Sequence, residues 1–269
     1  MELSGYLSEL LAQGRTVFSS EEAERGIGVN HGAFLDAAER LQRQKKLATP
    51  RRGFYIVVPP QFASWGAPPP SWYIDALMQH ESSPYYVGLL KAAELHGATH
   101  QAVSEFQVIT EKRLRSVQVG RSPLSFYYRK DLATLLAATS EHKTETGSMR
   151  VSSVELTALD LLRYPQATAG LDNIVTVLSD LADKIDPAKL ALLCEAFQKS
   201  QVQRLGHLLD RLGYSRLTEP LWRELLKNSL PAWVELDPQE RSDPQLASRP
   251  IERDSRWNVV VRRKPEVDE

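Results

Sequence analysis

The stretch Asn30 to Val58, NHGAFLDAAERLQRQKKLATPRRGFYIVV, decides how the N-terminal part of this chain is read. Asn30 is a residue type that caps helices, and Phe34, Ala37, Ala38 and Leu41 follow at i, i+3, i+4 and i+7. That spacing is the apolar stripe of an amphipathic helix. Leu47-Ala-Thr, a turn at Pro50-Arg51-Arg52-Gly53 and the run Phe54 to Val58 then read as two short strands around a glycine turn. Upstream, Leu3, Leu7, Leu10 and Leu11 mark a first helix closed by Gly14. Ser19 or Ser20 caps a short second helix over Glu21 to Arg25, which ends at Gly26-Ile27-Gly28.

Three helices, a glycine-containing turn and a terminal hairpin are the layout of a winged helix-turn-helix. In that arrangement the helix after the turn enters the major groove of duplex DNA. Charge agrees with it. From Glu39 to Phe54 the basic residues are Arg40, Arg43, Lys45, Lys46, Arg51 and Arg52, against the acid Glu39. Asn30, His31, Arg40 and Arg43 are therefore the candidates for base edges, with Lys45 beside them. Arg51 and Arg52, at the hairpin tip, are the candidates for phosphate. Asn30 reads equally well as a plain helix cap, and His31 as a surface residue. One such module spans few base pairs, so two copies on a repeated site are expected.

Pro59 to Ser71, PPQFASWGAPPPS, carries five prolines and no charge, and reads as a joint. The expected division is a DNA-binding domain at 1–60, a linker at 61–71 and a larger domain at 72–269. In the larger part Pro84 to Gly88, Phe106 to Thr110, Val117 to Val119, Leu124 to Tyr128 and Met149 to Ser152 are strand-like. Helices are expected at Leu89–His96, Ser153–Leu162, Leu171–Ala182, Pro187–Lys199, Val202–Leu212 and Pro220–Asn228. The overall class is α+β, an α/β core followed by a helical half. The polar stretch Asp237 to Ser255 reads as a surface excursion before a last strand-like run, Trp257 to Val261.

Composition excludes more than it selects. The 269 residues are 42% apolar and 25% charged, with 33 basic against 34 acidic residues. This is an ordinary globular balance, without a general attraction for polyanions. No run approaches the ~20 apolar residues that cross a bilayer. The N-terminus lacks a signal-peptide layout, so a cytoplasmic protein without a membrane partner is expected. The single Cys194 makes neither a disulfide nor a cysteine-based zinc site, and reads as a small core residue.

The histidines show no metal-ligand spacing, and phosphate-binding glycine loops and the GxSxG motif are absent, so no cofactor, no metal and no enzymatic activity are expected. Glu105, Gln107, Glu111 and Lys112 offer a remote Mg²⁺-nuclease alternative. A second alternative is a stand-alone transcriptional regulator whose larger domain senses a ligand. Glu155 and Asp160, on one helix, read as cap or pairing residues.

The segments YYVGLLKAAELHGATHQ (85–101), FQVIT (106–110), RVSSVELTALDLLRYP (150–165) and GLDN (170–173) resemble the AbiEi family of antitoxins. The order of an N-terminal winged helix before this domain is also similar to the family. The resemblance implies an antitoxin of a type IV toxin–antitoxin pair, associated with abortive infection against phage. It implies repression of its own operon through promoter repeats. It further implies a C-terminal domain that opposes a nucleotidyltransferase-like toxin without a stable complex. Such a toxin acts on an anionic nucleotide or RNA. Lys112, Arg113, Arg115 and Arg121, the other local charge excess, are accordingly the candidates for antitoxin function.

Overall fold

The computed structural model describes residues 2–99, 102–227, 231–239 and 250–266. Asn228, and the His100-Gln101 end of the first family-like segment, lie outside the described residues, as do residues 240–249 of the excursion. The chain forms two compact units: residues 1–87, 104–133 and 141–151, and residues 88–103, 134–140 and 152–269. The class is α+β, as expected from the sequence.

The first unit begins α1 (Leu3–Ala12), β1 (Val17–Ser19), α2 (Ser20–Ile27), α3 (His31–Arg43), β2 (Leu47–Arg51) and β3 (Phe54–Val57). The strands make an antiparallel sheet in the order β1-β3-β2. Local chemistry sets the helix ends. Ser19 Oγ accepts from Glu22 N at 3.1 Å, and α2 stops at Gly28 in the left-handed region. Asn30 Oδ1 accepts from Ala33 N at 2.9 Å and starts α3. Leu7, Leu10, Phe34, Ala38, Leu41 and Val57 close a small core. Tyr55 stacks on Phe18 at 5.4 Å and meets the edge of Phe34 at 5.2 Å. Strand β1 was not expected, because three residues are too few to show alternation.

The unit continues with α4 (Ile74–His80), β4 (Tyr85–Val87), β5 (Phe106–Thr110), β6 (Val117–Val119), β7 (Ser122–Tyr128), β8 (Thr139–Thr144) and β9 (Gly147–Ser152). Their sheet has the order β6-β7-β5-β4-β9-β8. Strands β5 and β7 run parallel from Phe106 opposite Leu124 to Thr110 opposite Tyr128. Strand β8, TSEHKT, carries no apolar alternation and escaped the sequence reading.

The compact units differ from the expected bounds at 60 and 71. Pro60–Phe62 and Pro70–Trp72 form short 3-10 turns, and Ala67 and Pro70 are buried. Arg121 N donates to Trp65 O at 2.9 Å. Gly120, at φ +58°, lies so close that a Cβ there would stand 2.3 Å from Trp65 O. Proline removes donors but leaves rings to bury and carbonyls to accept, so the proline-rich joint packs within the first unit.

The second unit holds α5 (Leu89–Leu95), α6 (Val154–Arg163), α7 (Leu171–Ala182), α8 (Pro187–Leu193), α9 (Lys199–Arg211) and α10 (Ser215–Leu226). Every residue from Glu155 to Leu162 of α6 is buried, against α5, α7, α8 and α9. The helix expected over Pro187–Lys199 breaks after Leu193 into a 3-10 turn, and Gln198 then starts α9 in a capping box with Gln201. Helix α10 begins at Ser215 and accommodates Pro220 within it.

Strands β10 (Val234–Glu235), β11 (Glu252–Asp254) and β12 (Val259–Val261) form a small sheet in the order β10-β12-β11. Trp257 is fully buried against Gly206 of α9, and its Nε1 donates to Asp210 Oδ2 at 2.7 Å. The last strand-like run is therefore fastened to the helical core.

Candidate nucleic-acid interface

Helix α3 and the β2–β3 hairpin border a concavity of about 560 Å³ lined by Ser20, Glu21, Glu24, His31, Leu35, Arg52, Tyr55 and His80. The helix buries Phe34, Ala38 and Leu41, so its periodicity turns Gly32, Asp36, Glu39 and Arg43 away from the core. Asp36 and Glu39 cancel Arg40 and Arg43 in formal charge. The positive excess therefore lies on the flanks, at the exposed Lys45, Lys46 and Arg52.

The expected contact residues occupy different situations. The Asn30 side chain caps α3. His31 Nδ1 lies 2.6 Å from Glu24 Oε1. Arg43 is exposed and pairs with Glu39 at 2.6 Å. Arg40 is also exposed, but it borders a second hollow with Ala33, Ala37, Gln44 and Lys46, toward Glu2 and Ser4 of α1. Lys45 sits in the turn after α3 at φ +57°. Arg52 is exposed, and its carbonyl lies 3.0 Å from His80 Nε2.

Arg51 is turned inward. Its Nε is 3.2 Å from Glu81 Oε1, with both side chains less than a fifth exposed. Its Nη2 donates to Arg115 O at 2.6 Å, and its guanidinium lies 5.2 Å from the Phe126 ring centroid. The sequence reading missed Glu81, His80 and Phe126 because no local pattern points to partners this distant in the chain.

The second basic group thus stands beside the hairpin in the same unit. Lys112 Nζ donates to Glu81 O, and the Arg113 guanidinium lies 4.2 Å above the Tyr128 ring. Arg115 and Arg121 are exposed. Two runs separated by about sixty residues in sequence are linked by the Arg51–Arg115 bond.

The groups considered for catalysis are engaged in structure. Glu105 accepts from Gln107 at 3.0 Å, Tyr127 at 3.2 Å and Ser125. Burial, then Glu105, pushes the Tyr127 hydroxyl up to about 12. Glu111 accepts from Leu132 N at 2.6 Å. Glu155 accepts from Asp186 N at 2.9 Å, beside the start of α8. Cys194 is buried, with its Sγ 3.4 Å from Leu190 O. Among the described residues no group of three His, Cys, Asp or Glu side chains is placed to hold a metal ion, and no helix is long and apolar enough to cross a membrane.

Fold and site together define an α+β protein whose candidate site is a basic binding surface. Residues 86–211 match the family model of the AbiEi antitoxin C-terminal domain. That match supports an antitoxin role. The crystal structure of the RV2827C protein from Mycobacterium tuberculosis is similar at 14% identity and a TM-score of 0.65. The match covers 96% of this chain and 90% of that one, and it shows the fold alone. No curated protein matches the sequence.

Proposed function

We propose that this chain is an antitoxin that binds repeats in its own promoter, as a repressor, through a winged helix-turn-helix within residues 1–60. The observation that carries the reading is the helix–strand–helix–helix–hairpin order, with α3 capped at Asn30 and Arg52 exposed beside it. The Arg51–Arg115 bond supports an extension, in which Lys112, Arg113, Arg115 and Arg121 add phosphate contacts to those of Arg52 and Lys45.

The same proposal keeps the toxin as a functional partner, a nucleotidyltransferase-like protein acting on nucleotide or RNA. DNA phosphate and such a substrate present the same anionic chemistry to this patch. The protein works in the cytoplasm, without cofactor or enzymatic activity of its own, in a phage-defence setting.

The test measures binding of the full chain to duplexes covering the sequence upstream of its own gene, over a range of salt. Affinity should fall steeply with salt, and less steeply once Lys112, Arg113, Arg115 and Arg121 are neutralised. Co-expression of the same variant with the adjacent toxin gene then reads the antitoxin role separately. Salt-independent or absent binding would remove the DNA reading, and undiminished rescue would remove the patch from antitoxin function.

A further inference from the structure

The first turn of α3 is unusually bare. Gly32, Ala33 and Leu35 are exposed, and the charges of the helix begin only at Asp36. Nothing in the fold requires glycine at 32. Its backbone is not in the left-handed region, and a Cβ there would meet only Asn30 Oδ1, at an ordinary 3.6 Å. Glycine is nevertheless among the poorest helix formers. Its physical use at such a place is to let another molecule approach the backbone closely.

Leu35 stands three residues on and is a surface neighbour of Gly32. It is 43% exposed. Across the concavity lies Arg52, and at the far end of the helix are the exposed Arg43, Lys45 and Lys46. Glu21 and Glu24 also line the concavity, beside His31, so the cations lie at its Arg52 side and at the far end of the helix. A bare apolar spot between those cations fits the duplex major groove, where phosphates flank the base edges. Among the bases, thymine alone presents a methyl group there.

We infer that Gly32 and Leu35 form a close-contact reading site for a thymine edge, with Leu35 against the 5-methyl group and Gly32 leaving room for the base pair. This rests on the DNA-binding reading above and adds to it which side chains choose the sequence. The proposed contacts are at Gly32 and Leu35, whereas the side chains of Asn30 and His31 are engaged within the protein.

The experiment uses the full chain and a duplex that it selects from a random-sequence library. Gly32→Ala should leave Tm unchanged or raised, yet weaken binding about tenfold by filling a tight contact. Replacing a thymine of the selected site by deoxyuridine removes one methyl group, and should weaken wild-type binding about fourfold at one or two positions. In Leu35→Ala that penalty should vanish. Gly32→Ala binding like wild type, or an equal deoxyuridine penalty in both proteins, would overturn the inference while leaving DNA binding intact. A Leu35→Ala variant that changes self-association without changing the deoxyuridine penalty would reassign the spot to a contact between copies. Selection of no duplex would overturn the DNA-binding reading and this inference together.

Discussion

Neighbouring arginines at the hairpin tip should behave oppositely. Arg51 makes an ion pair with Glu81 at 3.2 Å, donates to Arg115 O at 2.6 Å and lies 5.2 Å from the Phe126 centroid. Arg52 is exposed. Arg51→Ala removes a charge-assisted hydrogen bond and leaves the mostly covered Glu81 carboxylate without this partner. A loss of about 2–3 kcal/mol follows, set below the full value for a buried pair because both side chains keep some exposure. For a unit of this size that lowers Tm by about 10 °C. Arg52→Ala should leave Tm unchanged and reduce the salt slope of DNA binding by about 0.9, one phosphate contact. Thermal denaturation followed by circular dichroism, and fluorescence anisotropy with a labelled duplex at several salt concentrations, measure the two quantities on the same preparations. An Arg51→Ala protein as stable as wild type but with a reduced salt slope would refute the inward assignment, and would return Arg51 to the hairpin tip.

Gly120→Ala places a Cβ 2.3 Å from Trp65 O and 2.8 Å from Ala67 N at a positive φ, a clash with backbone rather than with a movable side chain. The variant should be recovered mainly as aggregate, and a soluble protein with a wild-type melt would contradict the packed joint. Deleting residues 1–71 removes both Arg51 and the Trp65–Ala67 turn from the first unit, so in fragment 72–269 the rest of that unit should melt well below its temperature in the full chain. A fragment in which the six-stranded sheet melts at the full-chain temperature would support the boundary expected from the prolines. Burial, then Glu224, pushes the Cys194 thiol from 9.0 up to about 12. An acid raised in the folded state stabilises it fully below the unfolded value, so this contribution is lost as pH climbs from about 9 toward 12. The native thiol should be inert to a disulfide reagent near neutral pH and react on denaturation; fast native labelling would contradict the burial.

The elements that were legible share a local cause. Asn30 and Ser19 cap helices because the bond is made to an amide three residues away, and the stripe of Phe34, Ala38 and Leu41 follows from helix period alone. Strands β5 and β7 showed as runs of β-branched and aromatic residues between polar turns. Strand β8, without an apolar face, and β1, with only three residues, had no comparable signal. In the candidate site, helix period identified α3 and its charges, but not which side of the helix carries Arg40 or which carries Leu35.

The sequence by itself determined the α+β class, the capped helix beside a glycine-turned hairpin, the two basic runs and the resemblance that the match at residues 86–211 supports. Each depends on neighbours within a few residues, or on phrases carried whole along the chain. Only the tertiary structure decided that Arg51 is a pin and Arg52 an exposed cation. Only it packed the proline-rich joint against Gly120, and brought Arg115 within 2.6 Å of an arginine 64 residues earlier. Those outcomes depend on which side chains meet through space, and hydrophobic periodicity carries no record of a partner on another element.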